Sequence, residues 1–285
     1  MRIIVTGGLG FIGSNLVDKL VEQGHSVTVI DNLSSESSSI KYKNKSVKYY
    51  IEDIRCLDIV HTSSYDVIFH LAGLARIQPS FEDPIKYLDV NIIGTSKICQ
   101  LAKTMGARLV YASSSSINNG EYKTPYTFSK YGGEEVIRTW QECYNINAAI
   151  CRFYNVYGPR EPRPGTYATV VQKFIRQYLS GQKLTIVGDG EQRRDFTHVD
   201  DIVNGLISVG ELDIVEKNDL YHLGRGVNYS INELVAMFVD ANVKKVPLRR
   251  GEGRVTLADY EETFNRLGWR AERNLEDYIK IQIRK

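Results

Sequence analysis

Residues 6–14 read Thr-Gly-Gly-Leu-Gly-Phe-Ile-Gly-Ser, and this stretch carries the strongest structural signal in the chain. It follows the β-branched run Ile3–Val5 and precedes a periodic apolar segment that begins near Leu16. The glycines fit both G-x-G-x-x-G and the related G-x-x-G-x-x-G. A strand, a glycine-rich turn and a helix in this order let the backbone approach a pyrophosphate closely, and the helix N-terminus supplies free N–H groups. The stretch therefore predicts a dinucleotide-binding unit.

The next β-branched run ends at Asp31, 21 residues after Gly10. A carboxylate there can accept hydrogen bonds from the ribose hydroxyls of an adenosine, and it repels a 2′-phosphate. Asn32 and Leu33 follow, with no arginine that would favour NADP. The sequence therefore predicts NAD as the cofactor. The alternative is a glycine-rich turn without a ligand, followed by a solvated charge at the end of a strand.

Short apolar runs and longer periodic segments alternate through the first half of the chain. The periodic segments predict a helix that stops near Gly24, a second from Asp83-Pro84 to Met105, and a third from Tyr126 to Tyr144. This alternation is typical of a parallel sheet with helices on both faces. The predicted strands are Ile3–Val5, Val27–Ile30, Val47–Ile51, Val67–Phe69, Leu109–Tyr111 and Ala149–Cys151.

The alternation fades after about residue 157, where glycines and prolines cluster from Gly158 to Gly165. Such clusters are typical of loops. We therefore predict an α/β protein with two domains. A Rossmann-type doubly wound parallel sheet, binding NAD, is expected from residues 1–157 together with about 183–215. A smaller C-terminal α/β substrate domain is expected from about 158–182 and 216–285.

The composition of the 285 residues is that of an ordinary globular protein, with 42% apolar and 25% charged side chains. Lys and Arg number 36 and Asp and Glu 34, a net charge of +2. A balance this close to neutral argues against binding to nucleic acid or to a membrane surface. No apolar run approaches the length of a membrane span, and the first apolar run is too short for a signal peptide. We expect a cytoplasmic protein.

The cysteines and histidines form no metal-binding pattern. None of the four cysteines lies in a C-x-x-C pair, and the histidines match no H-x-x-x-H or H-E-x-x-H spacing. We therefore predict no metal site and four reduced thiols without a redox role. The cysteines are Cys56, Cys99, Cys143 and Cys151, and the histidines are His25, His61, His70, His198 and His222.

Tyr126 and Lys130 begin a predicted helix and, four residues apart, lie on one face of it. The serine run Ser113–Ser116 follows a predicted strand, at the sheet edge where ligands bind in open α/β folds. A nearby ammonium group is expected to lower the pKa of a tyrosine, which suits it to act as a base. Each pattern alone is common on protein surfaces. Behind a dinucleotide motif, the combination predicts an active site.

With these motifs, the sequence resembles the extended short-chain dehydrogenase/reductases, in the branch of nucleotide-sugar epimerases and dehydratases. The resemblance spans nearly the whole chain. Its matching pieces are residues 6–13, Asp31-Asn32-Leu33-Ser34-Ser35, Asp53-Ile54, His70-Leu71-Ala72-Gly73, Tyr126 with Lys130, Arg152 to Pro159, Gly188 to Gln192, Arg194-Asp195-Phe196 and Leu267-Gly268-Trp269.

The resemblance implies roles for individual residues. Ser115, Tyr126 and Lys130 would be catalytic, with Tyr126 as the base. The NAD-binding residues would be Gly7, Gly10, Phe11, Ile12, Gly13, Asp31, Asn32, Ser35, Asp53, Ile54, Leu71, Ala72, Gly73, Asn91, Tyr126 and Lys130. The nucleotide-sugar substrate would contact Ser115, Asn155, Arg194, Arg249, Glu252 and Thr256. The family also implies a homodimer, formed by the helices near 84–105 and 126–144.

Within this branch, dehydratases and decarboxylases carry a carboxylate just after the catalytic Ser or Thr. This chain has Ser116, Ile117 and Asn118 there, which favours 4-epimerisation of a UDP-hexose. In the family that the sequence resembles, the position of Thr256 gates the sugar 2-substituent, so the resemblance leaves UDP-N-acetylhexosamines and UDP-glucose or UDP-galactose as alternative substrates.

Two departures from the family pattern leave alternatives. The segment between Gly120 and Tyr126 is shorter than in the family, and Asn118-Asn119 replace its usual Val-Tyr. Another nucleotide-sugar reaction, such as 4-keto reduction, dehydration or epimerisation at another carbon, remains an alternative. So does a non-catalytic NAD-binding sensor.

Overall fold

The structure is a computed structural model that describes residues 1–35, 38–57, 64–162, 168–213 and 215–284. His61, Pro164 and Gly165, noted in the sequence, lie outside these ranges. The described strands are β1 (Arg2–Thr6), β2 (Ser26–Ile30), β3 (Lys48–Tyr50), β4 (Val67–His70), β5 (Arg108–Ser114), β6 (Ala148–Phe153), β7 (Leu184–Val187), β8 (Arg193–Asp195), β9 (Leu220–Leu223), β10 (Asn228–Ser230) and β11 (Val243–Val246).

The described α-helices connect these strands and cover the sheet. They are α1 (Phe11–Glu22), α2 (Ile77–Glu82), α3 (Pro84–Leu88), α4 (Gly94–Met105), α5 (Pro125–Tyr144), α6 (Val170–Leu179), α7 (Val199–Gly210), α8 (Ile231–Ala236), α9 (Glu261–Leu267) and α10 (Leu275–Ile283).

Seven strands form one sheet in the order β3-β2-β1-β4-β5-β6-β9, and every neighbouring pair is parallel. The carboxyl ends of all seven strands therefore lie along one edge. The chain reverses its direction across the sheet between β1 and β4, and ligands of open α/β sheets bind at such a switch point. The doubly wound parallel sheet predicted from the sequence is confirmed.

Apolar side chains cover both faces of this sheet. On one face, Leu16 and Leu20 of α1 and Leu206 of α7 pack together with β1. On the other face, Ile98 of α4 and Ile137 of α5 do so. Strands buried on both faces read as continuous apolar runs, which is why the sequence identified them.

The segment predicted as one helix from Asp83 to Met105 is a continuous helical stretch with a change of winding. The Asp83 carboxylate accepts a 3.1 Å bond from the Lys86 amide, and Gly106 ends the stretch at φ 65°. Between α3 and α4, residues Asp89–Ile93 form a π-helical turn. A single inserted turn of this kind is often found at functional sites, and here it carries Asn91.

The second half of the chain adds a smaller layer beside the sheet. There β7 pairs with β11 in parallel and β8 pairs with β10 antiparallel, with α6, α8 and α10 packed around a separate apolar cluster. We expected residues 183–215 to return to the main sheet. The structure instead places β7 and β8 in the smaller layer, and the chain returns through α7 and β9, because β9 pairs with β6.

One buried carboxylate joins the segments of this layer. Asp195, fully buried at the end of β8, accepts hydrogen bonds from the amides of Arg225 and Gly226, both at 2.9 Å, and of Ala258 at 3.0 Å. Three donors satisfy a charge that would otherwise be costly to bury. Asp195 thus fixes the strand beside the cavity to two later parts of the chain.

Candidate active site

A cavity of about 560 Å³ opens at the carboxyl ends of the sheet strands and extends to the smaller layer. It brings together all but one of the residues singled out in the sequence: Gly7, Gly10, Phe11, Ile12, Gly13, Asp31, Asn32, Ser35, Asp53, Ile54, Leu71, Ala72, Gly73, Ser115, Tyr126, Lys130, Asn155, Arg194, Arg249, Glu252 and Thr256. Asn91 is the exception.

The glycine-rich turn forms a tight cradle at the start of α1. Gly7 lies at φ 70°, and a Cβ on Gly13 would stand 2.1 Å from the Gly7 carbonyl oxygen. Gly10 is the N-cap residue and has no side chain to bond the first amides of α1. Those N–H groups and the positive end of the helix dipole are left for an anion. The turn therefore fits the pyrophosphate of NAD.

Asp31 lines the cavity at the end of β2, and the backbone holds its carboxylate in place. One oxygen accepts a 2.9 Å bond from the Leu9 amide and the other a 2.8 Å bond from the Leu33 amide. Each carboxylate oxygen can accept a further bond, so the ribose hydroxyls of adenosine are suitable partners. The position of Asp31 and the orientation of its carboxylate both fit the adenosine ribose of NAD.

Asp53 also lines the cavity and is hydrogen-bonded to Asn32, the residue that follows Asp31. Asn32 donates a 2.9 Å bond to Asp53, and Arg55 donates to the same carboxylate at 2.7 Å. The hydrogen bonds from Arg55 lower the pKa of Asp53 well below its usual value. An ionised carboxylate at the cavity wall can accept hydrogen bonds from an adenine amino group.

Tyr126 and Lys130 lie one turn apart on α5, as the spacing predicted. Thr124 caps this helix by accepting a 3.0 Å bond from the Thr127 amide. The buried Lys130 ammonium donates a 2.7 Å bond to the Ala112 carbonyl and stands 4.9 Å from the centre of the Tyr111 ring. Burial lowers the pKa of Lys130 to about 8, although the negative charge of Glu134 acts to raise it.

All four serines of the run line the cavity together with Tyr126. Hydrogen bonding with Ser114 lowers the pKa of the Tyr126 phenol, and Ser115, the serine expected to be catalytic, follows directly in the chain. Ser114 also bonds the Ser116 hydroxyl at 3.0 Å. β5 runs through Ser114, and a 3-10 turn begins at Ser115. Both serines therefore lie at the carboxyl end of β5, and the catalytic role of Ser115 stays a prediction.

The pKa of Tyr126 also differs from expectation. We expected the charge of Lys130 to lower it, but the structure raises it above the usual value. Burial is the largest cause, since it disfavours the phenolate. The hydrogen bond with Ser114 and the charge of Arg76 act in the opposite direction.

Asn91 does not line the cavity but holds the loop that does. Its amide nitrogen donates to the Leu74 carbonyl at 3.0 Å and to the Ser129 hydroxyl at 2.8 Å. Its carbonyl oxygen accepts a 2.8 Å bond from the Leu74 amide. With all of these bonds made and only 2% of the residue exposed, the side chain faces the protein and has an indirect role.

Asn155 and Thr256 lie together at the opposite end of the cavity. Asn155 donates to the Thr256 hydroxyl at 3.0 Å and to the Asp195 carbonyl at 2.9 Å. The position of Thr256 is therefore fixed from two sides, since it also accepts a 3.2 Å bond from the Asp195 amide.

Arg194 and Glu252 face one another at the same end, with 3.9 Å between nitrogen and oxygen. That separation is long for a charge-assisted hydrogen bond, whose usual length is about 2.7–2.9 Å. Burial lowers the pKa of Arg194 from its usual value, and the charge of Glu252 opposes this. Both groups keep capacity to bind a phosphate or a ribose hydroxyl.

Several lining residues were missed in the sequence, above all Arg76, Lys123 and Lys173. Lys173 lies on α6, where burial and the charge of Arg249 both lower its pKa. Single basic residues in an amphipathic helix or a loop carry no spacing signal. Only the fold brings them to the cavity.

No group of three or more potential metal-ligating side chains occurs within the described ranges. In that same part of the chain, no helix combines the length and apolar character needed to cross a membrane. Cys99 and Cys151 are buried, and burial raises the pKa of the Cys99 thiol to about 12.

A family model for the NAD dependent epimerase/dehydratase family matches residues 3–224. A putative UDP-glucose 4-epimerase from Methanocaldococcus jannaschii is 33% identical, over 98% of this chain and 96% of its own length. A UDP-N-acetyl-alpha-D-glucosaminuronate decarboxylase from Bacillus cytotoxicus is 32% identical, over 82% of this chain and 78% of its own length.

Two solved structures share the fold closely. UDP-glucose 4-epimerase from Thermotoga maritima, solved with UDP-glucose, superposes with a TM-score of 0.91 at 30% identity, covering 100% of this chain and 98% of that one. UDP-glucuronic acid 4-epimerase from Bacillus cereus, solved with UDP-glucuronic acid and NAD, gives 0.90 at 26% identity, with coverage of 100% and 98%. The chain therefore belongs to the NAD dependent epimerase/dehydratase family of nucleotide-sugar enzymes, and its cofactor is NAD.

Proposed function

We propose that the protein is a 4-epimerase of a UDP-hexose, acting on UDP-glucose/UDP-galactose, on UDP-N-acetylglucosamine/UDP-N-acetylgalactosamine, or on both pairs. One observation carries the choice of reaction. Within the described stretch 112–130, the side chains that line the cavity include no carboxylate. Elimination of water needs an additional acid or base beside Tyr126, whereas 4-epimerisation does not.

The side chains around Tyr126 support this reaction. Tyr126 takes the proton from the sugar 4-hydroxyl and later returns it, while Ser115, or its neighbour Ser114, orients that hydroxyl. Bound at this site, NAD would supply a reversible hydride acceptor for C4, so that the 4-keto sugar could be reduced on its other face after turning over in the pocket. Lys130, fixed by the Ala112 carbonyl, is placed to hold the cofactor ribose. The cycle consumes no cofactor.

Cationic side chains at the far end of the cavity suit a diphosphate. Arg249 and Lys173 both line the cavity, and the charge of Arg249 lowers the pKa of Lys173. Such a pair is stabilised when an anion binds between its members. Arg194 adds a third cation, and Glu252 is placed to accept ribose hydroxyls of the nucleotide.

Thr256 bears on the choice of sugar. A large aromatic side chain at this position would narrow the pocket, whereas threonine leaves room for an N-acetyl group. Its hydroxyl already bonds Asn155 and the Asp195 amide, so the residue acts through its size.

The decisive experiment is proton NMR of the purified protein with UDP-GalNAc and catalytic NAD, following the anomeric signals. We expect UDP-GlcNAc to form, and Tyr126→Phe to abolish its formation. Tyr131→Phe, on the same helix but outside the cavity lining, serves as the control. Turnover of UDP-galactose alone would restrict the substrate to hexoses without an N-acetyl group.

Other outcomes would contradict the proposal. Stoichiometric oxidation of added NADH by a 4-keto sugar would indicate a reductase. Binding of NAD without any turnover, unaffected by Tyr126→Phe, would indicate a sensor.

We also propose that two copies form a homodimer through α3–α4 and α5. These helices pack against one another, and apolar side chains on them remain exposed to solvent in the single chain. Ile93 is 50% exposed and Phe128 is 37% exposed. Pairing with a second copy would bury them.

A further inference from the structure

Residues 249–253, which follow β11, form a short segment along the cavity wall that we call the strap. Its backbone is neither helix nor strand, so its position depends on contacts with other parts of the chain. Arg249 and Glu252 of the strap line the cavity. The placement of these two charged side chains therefore depends on what holds the strap.

The two ends of the strap are attached to the smaller layer. Just after it, the Arg254 carbonyl accepts a 2.9 Å hydrogen bond from the Arg193 amide, and the Arg254 guanidinium donates to the Asp189 carboxylate at 3.0 Å. Just before it, Leu248 covers Gly188, where a Cβ would stand 2.5 Å from the leucine Cδ2 atom. Both ends therefore follow the smaller layer.

The middle of the strap contacts α2, on the other side of the cavity. The Gln78 side chain donates a 2.9 Å hydrogen bond to the Arg250 carbonyl. The central carbon of the Arg250 guanidinium lies 4.5 Å from the centre of the Phe81 ring. A cation at this distance is attracted by the negative face of an aromatic ring. The strap thus joins the smaller layer to α2.

Two glycines allow this close approach. Gly251 lies at φ 81°, and a Cβ there would stand 2.6 Å from Cγ2 of Thr124 and 3.1 Å from Cε2 of Phe81. A Cβ on Gly253 would stand 2.8 Å from the side chain of Asn119. The strap backbone therefore packs directly against α2 and against the segment that leads into α5.

We propose that the strap closes the cavity over the bound nucleotide sugar, and that Arg250 and Phe81 are positioning residues that hold it closed. The inference rests on the proposed function, in which Arg249 and Glu252 bind the nucleotide part of the substrate. Neither Arg250 nor Phe81 is among the described residues that line the cavity. Their effect on the substrate therefore passes through the strap.

The closed form is only weakly favoured before the substrate binds. Arg250 is exposed, and a cation–aromatic contact at an exposed site contributes little free energy. A surface segment held by a few such contacts opens easily. The nucleotide sugar, by binding Arg249 and Glu252, shifts the strap toward its closed form. Substrate and product can then exchange without opening the glycine-rich cradle that holds NAD.

The first test is calorimetry with UDP on the NAD-bound protein. We expect Phe81→Leu and Arg250→Met each to weaken UDP binding about two- to threefold, with the affinity for NAD unchanged. The double variant should bind UDP no more weakly than either single variant, because both substitutions remove the same contact. Phe264→Leu and Arg270→Met, at exposed positions outside the cavity lining, are the matched controls.

The second test measures opening of the strap directly. Trypsin cleaves after Arg249 and Arg250 when the strap leaves the surface, and mass spectrometry of the fragments identifies these cuts. Cleavage of a segment that opens and closes rapidly follows the population of its open form. Without UDP, Phe81→Leu should be cut at these sites about two- to threefold faster than the wild type. Saturating UDP should protect both proteins.

Wild-type UDP affinity or wild-type cleavage in Phe81→Leu would overturn the inference. So would effects of the two substitutions that multiply in the double variant. Both tests work without turnover, so an inactive epimerase assay beside the expected strap results would refute the proposed reaction alone. Failure of the wild-type protein to bind UDP would refute the proposed substrate and, with it, the role of the strap.

Discussion

The hydroxyl of Ser113 donates a 2.6 Å hydrogen bond to Glu134, whose side chain is fully buried two turns after Tyr126 on α5. Arg152 of β6 binds the same carboxylate through two nitrogens, at 2.8 and 2.7 Å. Burial alone would raise the pKa of Glu134, but the hydrogen bonds and charge of Arg152 lower it. This carboxylate therefore joins the ends of β5 and β6 to the helix that carries Tyr126 and Lys130.

Replacing Glu134 by glutamine should destabilise the fold, because it leaves the buried Arg152 charge without its partner. Loss of one member of a buried ion pair costs about 3–5 kcal/mol. Urea unfolding of the purified proteins measures the loss. Glu135→Gln, at an exposed position on the same helix, should change the free energy of unfolding by less than about 0.5 kcal/mol. Equal effects of the two substitutions would contradict the role assigned to Glu134.

Gly13→Ala should abolish tight binding of NAD. The new methyl group would press against the Gly7 carbonyl, only 2.1 Å from its position, so the phosphate cradle must open. Isothermal titration calorimetry with NAD measures the affinity. Gly24→Ala, which meets nothing within 4 Å but carries the strain of φ 80°, should lose some stability and keep its affinity for NAD.

Lys173→Ala should weaken the binding of UDP roughly tenfold, the equivalent of about 1.4 kcal/mol for a charge-assisted contact to the diphosphate. The affinity for NAD should not change, because Lys173 lies on the smaller layer. Calorimetry with UDP on the NAD-bound protein measures the affinity for UDP, and calorimetry with NAD measures the affinity for NAD. Lys183→Ala, an exposed lysine outside the cavity lining, is the control. Normal UDP affinity in Lys173→Ala would remove this residue from the diphosphate site.

Glu161 should make the stability fall as the pH rises. Burial raises its pKa from 4.5 to about 8, so between these values the unfolded chain releases a proton that the folded protein keeps. This lowers the free energy of unfolding by about 1.4 kcal/mol for each pH unit in that window. Glu161→Gln, which mimics the protonated acid, should therefore stabilise the protein at pH 8 relative to wild type and leave it unchanged near pH 4.5. Urea unfolding at the two pH values measures this difference. The same difference in the free energy of unfolding between the two proteins at both pH values would refute the prediction.

The proposed homodimer predicts that a charge on its apolar surface yields monomers. Ile93→Glu and Phe128→Glu should each halve the mass measured by light scattering after gel filtration, since a buried unpaired charge is costly. Leu179→Glu, at a similarly exposed position on α6, should leave the mass unchanged. A wild-type protein that is already monomeric at all concentrations would contradict the proposal.

The sequence predicted the main sheet and the cofactor cradle because both depend on local patterns. Apolar runs buried on both faces gave the strands, and the glycine spacing gave the turn with Gly7 and Gly13. Asp31 followed from its distance along the chain.

The remaining features could not be predicted because they depend on contacts between distant segments. Lys173 and Arg249 lie far apart in the sequence, and only the fold brings both to the cavity wall. Asn91 carries no local sign that its side chain turns toward Leu74. The helix α2 is short and contains Pro79, so its periodicity is too weak to detect.

The carboxylate of Asp195 has a consequence for how the enzyme can evolve. It ties Gly226 and Ala258 to one buried point, and Ala258 lies just beyond the segment that carries Arg249, Glu252 and Thr256. The C-terminal end of that segment stays anchored whatever side chains it presents. Mutations there can alter this wall of the cavity without releasing the framework, so a lineage can acquire new substrates while the glycine-rich cradle is inherited intact.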